Sequence, residues 1–139
     1  MKKRFCLLLL LPALLVMAGC QPAPAIEPEL SLADAAQRLL PAGDAFVSYT
    51  QEDLCDLTGI SPDDYTEAVF LRDSDTLSGR EVIMVRTKDA EAFGSVKDAL
   101  ERYLSQRLKE TRDYLPNAYH LLSEARIQEA GLTVSLIIL

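Results

Sequence analysis

The chain has 139 residues, 49% of them hydrophobic and 25% charged, with a formal net charge of −7. That length leaves room for one domain of ordinary size, and the apolar fraction fits a packed globule, not a disordered chain. The excess of acids argues against nucleic acid as a partner and against docking on anionic lipid by charge, because such a surface repels phosphates.

Met1 to Cys20 reads MKKRFCLLLLLPALLVMAGC, with three cations (Lys2, Lys3, Arg4) ahead of an apolar run from Phe5 to Ala18. That order predicts a secretory leader. The run contains Pro12 and falls short of the roughly 20 residues of a spanning helix. Its end, Met17-Ala18-Gly19-Cys20, resembles the lipobox of bacterial lipoproteins, with Met17 where leucine is usual. The resemblance implies a signal peptide over 1–19, cleavage between Gly19 and Cys20, and a diacylglyceryl graft on the Cys20 sulfur. An ordinary cleaved leader is the alternative. Each buried methylene is worth about 0.8 kcal/mol, so two or more acyl chains make a durable anchor, here on the extracytoplasmic face of the cell membrane. Without the three leader cations, eleven Lys and Arg face 21 Asp and Glu, a net charge of −10. Of the three cysteines, Cys6 leaves with the leader and Cys20 takes the lipid. Cys55 alone stays in the domain, so no internal disulfide is expected. It reads as a small buried hydrophobe in a helical turn, with pairing between molecules as the alternative.

Gln21 to Leu30 is a tether: Pro22, Pro24 and Pro28 favour extended backbone, about 3 Å per residue and roughly 30 Å in all. The domain is expected over 31–139. Ser31 caps a helix from Leu32 to Leu40, whose Leu32, Ala35, Ala36, Leu39 and Leu40 follow the helical period. Pro41 and Gly43 stop it. Thr50 to Asp53 is a capping box opening a short helix with Leu54, Cys55 and Leu57. Gly59 ends it, with Ile60 folding back as in a Schellman close. Ser61-Pro62-Asp63-Asp64 starts one more turn. Thr66–Arg72 and Arg80–Thr87 are rich in β-formers and flank DSDTLSG, which predicts an antiparallel hairpin. The unbroken Val82 to Val85 predicts an interior strand covered on both faces.

The longest helix is expected from Ala90 to Arg112, with Phe93, Val96, Leu100, Tyr103, Leu104 and Leu108 as its apolar stripe. Gly94 costs about 1 kcal/mol inside a helix, so Ser95 is an alternative start. Pro116 ends the helix by restricting Leu115, and a short turn or helix runs through Leu122. Strands from Ala125 to Glu129 and Leu132 to Leu139 follow, joined at Ala130-Gly131, the last one inside the sheet. The whole predicts an α+β domain: a four-stranded, mainly antiparallel sheet in ββαββ order. One face is covered by the long helix, and the short N-terminal helices sit at an edge or on the other face.

The lipobox, the tether, Gly59-Ile60, Asp64-Tyr65, Glu81-Val82-Ile83, the amphipathic helix and Tyr114-Leu115-Pro116 with Tyr119 resemble a bacterial lipoprotein family catalogued as domain of unknown function 4358. The likeness runs from Ala45 to Leu139. It implies membrane attachment and carries no activity, cofactor or catalytic residue. Members of the family usually continue past the last strand, often into another helix.

Candidate chemistry is sparse. His120 is the only histidine, and its neighbours Tyr119, Ser123 and Glu124 have no recognised catalytic spacing. Without a CxxC pair, zinc is not expected. Asp73-Ser74-Asp75 begins like a calcium loop, but Leu77 and Gly79 break the pattern, which leaves a solvated hairpin tip. Asp63-Asp64 reads as helix capping, and no glycine cluster forms a phosphate loop. Of the five tyrosines, Tyr103, Tyr114 and Tyr119 cluster near the end of the long helix and could rim a ligand groove. The simpler reading is half-buried rings with their hydroxyls at the surface. No catalytic residue, metal or cofactor is assigned. The expectation is a non-catalytic binding or interaction module of the cell envelope, with an envelope protein or ligand as partner. Small-solute binding is the alternative, and an envelope enzyme comes third.

Overall fold

The computed structural model describes residues 30–139; the leader, Cys20 and most of the tether lie outside them. Helices α1 (Leu32–Leu39), α2 (Gln51–Thr58), α3 (Ala90–Thr111) and α4 (Pro116–Glu124) accompany strands β1 (Phe46–Ser48), β2 (Tyr65–Asp73), β3 (Glu81–Thr87), β4 (Ile127–Ala130) and β5 (Thr133–Ile138). The fold is α+β, as expected, but the sheet has five strands in the order β1-β2-β3-β5-β4. Every pairing is antiparallel. The four-strand, ββαββ expectation therefore missed β1, a three-residue edge strand paired with the end of β2. Three residues are too few to display a period. β1 is held from outside itself: Arg80 ion-pairs with Asp44 and its guanidinium lies 5.6 Å from the Phe46 ring centre.

Strand alternation divides the sheet into two faces. Phe70, Ile83, Val85, Val134, Leu136 and Ile138 point to one face, where they pack with Val96, Ala99, Leu100 and Tyr103 of α3, Leu122 of α4 and Leu54 of α2. This is the main core, and α2 belongs to it; the expectation of both short helices at an edge or on the other face holds for α1 alone. Opposite, Leu71 and Val82 pack with Ala36 of α1, and Val69, Met84 and Ile137 lean on that smaller cluster. As expected, β3 and β5 are both interior strands.

The helix ends follow their caps. Thr50 and Asp53 form the reciprocal capping box. Gly59 is left-handed at φ 77° and its N–H donates to the Cys55 carbonyl at 2.8 Å. The Ile60 N–H turns instead to the Thr58 hydroxyl (3.2 Å), which itself donates to the Leu54 carbonyl (2.6 Å). The close is thus the single-bond left-handed form, not the expected Schellman pair. Helix α3 starts at Ala90, with the Asp89 carboxylate accepting from the Ala92 N–H at 2.8 Å. A carboxylate there meets both the open N–H groups and the positive dipole end. The Ser95 start is not used, and Gly94 sits exposed within the helix.

Candidate functional site

Charge inside the main core is concentrated at the end of the sheet where β2 leaves and β3 enters. Glu81, the first residue of β3, shares the parity of Ile83 and Val85 and so points under α3, fully buried. The Tyr103 hydroxyl donates to Glu81 Oε2 at 2.9 Å, Arg72 Nε lies 3.3 Å from the same oxygen, and Arg107 Nε lies 3.9 Å from Oε1. Among the described residues, neither Glu81 Oε1 nor Arg107 Nε has a hydrogen-bond partner. Burial pushes the Glu81 carboxyl above its ordinary value, outweighing the opposite pull of Arg107, Tyr103 and Arg72. Burial, with Glu81 beside it, also pushes the Tyr103 hydroxyl up. Arg72 extends the cluster to Tyr49, its guanidinium 5.4 Å from the ring centre, and Tyr49 in turn sits 4.9 Å from Phe70, centre to centre. A general acid must reach the atom it protonates. Glu81 reaches only its own core, so the cluster organises the fold.

Only weak signs of this cluster are legible in the residues. Glu81 stands directly before the apolar run Val82 to Val85, and Tyr103 and Arg107 are one turn apart beside Leu100 and Leu104 on α3. Reading Tyr103 as a groove rim is corrected here: it is 6% exposed with its hydroxyl on Glu81. Tyr114, by contrast, is 84% exposed and lines an open cleft of about 290 Å³ with Asp75, Leu77, Ser78 and the start of α4. Tyr119 is half-buried on α4 and does not line that cleft. The three tyrosines therefore share no rim.

The remaining candidates have local duties. His120 is exposed, its Nε2 3.8 Å from Glu124. Asp73 accepts from the Asp75 N–H and from Arg80 Nε, which together hold its carboxyl below the usual range. Asp75 accepts from the Leu77 N–H, so the loop closes on its own backbone. Among the described residues, no group of three or more His, Cys, Asp or Glu side chains gathers as a metal site. Asp63 and Asp64 lie in a single 3₁₀ turn capped by Ser61; Lys88 donates to the Asp63 carbonyl at 2.7 Å. Cys55 is a free thiol, half-buried on α2 rather than fully buried.

The opposite sheet face is unevenly covered. Leu32 and Ala36 of α1 are buried toward β2 and β3, anchored by the Glu67 carboxylate, which accepts the Leu32 N–H at 2.6 Å and pairs with Arg86. The other half of the α1 stripe, Ala35 and Leu39, turns toward β5 and β4, with Leu39 still 41% exposed. Between α1 and the edge strand β4 lies a groove of about 390 Å³, floored by Met84, Ser135, Ile137, Thr133 and Ala130 and entered at Leu30. Open apolar concavities of this size are where small ligands and partners bind. The helical period predicts one core-facing stripe of all five apolar residues of α1, because period shows a stripe's width but not how much sheet lies beneath it.

Fold and groove define an antiparallel α+β domain with one sealed and one partly open sheet face. The family model for the domain of unknown function DUF4358 matches residues 44–139, more than half of the chain, and the protein belongs to that family. Searches of curated proteins and of solved structures returned no match.

Proposed function

We propose that the protein is a non-catalytic binding module of the cell envelope, held by lipid on Cys20 at the extracytoplasmic face of the membrane, with the groove between α1 and β4 as its binding surface. The observation that carries this reading is the unequal cover of the sheet: three helices close one face, while the other keeps an apolar strip beside a helix whose Leu39 is 41% exposed. Contiguous apolar surface that a small domain leaves open marks interaction sites. The buried Glu81 cluster is compatible with a binding role, since Glu81 is fully buried and its carboxylate faces Arg72 and Arg107.

The test places a photo-reactive residue at Leu39 or Gln128 in the full chain in intact cells, with Glu101 and Lys109 on the wet face of α3 as controls. Adducts are expected from the groove positions alone. Equal adducts from the α3 positions, or none from the groove, would overturn the assignment.

A further inference from the structure

The polar groups facing the groove are not neutral as to what fills it. Arg38, Gln128, Thr133 and Ser135 line it, and none makes a side-chain hydrogen bond or ion pair among the described residues. All four can donate, and one is a cation. Asp34, one turn before Arg38 and its natural i, i+4 partner, is turned back to the cap, where Ser31 Oγ donates to it at 2.8 Å. Glu129, the acid on the β4 side, is held by Lys97 at 2.6 Å. Ser135 is 6% exposed, a hydroxyl set into the floor between Met84 and Gln128. In a chain rich in acids, this groove thus offers donors and one positive charge that has no acidic partner among the described residues. Its remaining lining, Leu30, Ala35, Leu39, Met84, Ala130 and Ile137, is apolar. The floor from Thr133 to Ile137 is about 14 Å long at ~3.4 Å per residue. The volume of about 390 Å³ lies near the low end of small-ligand sites, roughly 300–1,000 Å³. That suits one hydrocarbon chain with a single anionic head better than a partner helix, which is about 10 Å across.

We propose that the groove binds a free fatty acid, its chain along the apolar lining and its carboxylate on Arg38. The inference rests on the groove being the binding surface and names its occupant. It is tested with the full chain carrying Cys20→Ala, which has no graft of its own to compete, titrated in detergent-free buffer with myristate and with myristyl alcohol. Myristate should bind about tenfold more tightly than the alcohol, the order of a hydrogen bond to a charged group. Arg38→Gln should remove that difference, and Ala35→Phe, which fills the groove from α1, should weaken both ligands. Both changes fall at positions on α1 that are not fully buried, and unchanged thermal melting of each variant verifies the fold. Equal binding of acid and alcohol, full binding by Ala35→Phe, preference for a lysophospholipid, or no binding at all would overturn the inference. If myristate fails while Leu39 and Gln128 still yield adducts in cells, the occupant is wrong and the binding surface stands. Silence in both assays removes both.

Discussion

Glu81 sets the most informative test at the scale of a residue. Its carboxyl titrates above the ordinary value of 4.5 in the fold, chiefly because it is buried. Between that value and its raised folded one, the native state holds more protons than the unfolded state. Stability from this group is therefore fully present at pH below about 4.5 and declines as pH rises through the window. Asp73, whose carboxyl is lowered, acts in the opposite sense, losing its contribution only as the solution becomes strongly acid. Comparing the wild type with Glu81→Gln in urea at a series of pH values isolates the first effect. The stability of Glu81→Gln relative to wild type should climb as pH rises from about 4.5, and a constant difference would show that burial does not govern this carboxyl. Two glycines give opposed expectations. A methyl group at Gly94 meets nothing within 4 Å, so Gly94→Ala should stabilise by up to ~1 kcal/mol. At Gly79, φ is +78° and a Cβ would lie 2.8 Å from the Ala118 Cβ. Gly79→Ala should therefore destabilise by about 1 kcal/mol or more, read as a fall in the urea midpoint.

Among the elements, α3 organises the sealed face, and its start depends on one carboxylate. Asp89→Ala should cost about 1 kcal/mol and fray the first turn, seen as faster amide exchange at Ala92 and Phe93. Leu100→Ala, fully buried between α3 and the sheet, should cost about 2–5 kcal/mol. The strong local signals were legible in the residues: the Thr50 capping box, the β2–β3 hairpin, the α3 stripe and the tight Gly131 turn. Signals that depend on a neighbour were not. Phe46–Ser48 becomes a strand because β2 and Arg80 are there to receive it. Tyr103 has the period of a core residue and the chemistry of a rim residue, and only Glu81 beneath it decides between them. The groove was hidden for the same reason, since the exposure of Leu39 depends on how far β5 and β4 extend beyond α1.

At the scale of the whole molecule, a domain without an internal disulfide among the described residues is held by one large apolar cluster and one small one. The large cluster is sealed by α2, α3 and α4; among the described residues, α1 is the one helix that covers the small one. No helix among the described residues is long and apolar enough to cross a membrane. In our proposal, residence at the membrane rests on the sulfur of Cys20, and the open sheet face works within a short reach of the lipid. Growth with labelled palmitate followed by membrane fractionation tests this most directly, on the full chain and on Cys20→Ala. Label in the wild-type protein, its sedimentation with membranes, and loss of both in the variant are expected. A wild-type chain that takes up no label, or a Cys20→Ala chain that sediments as before, would contradict it.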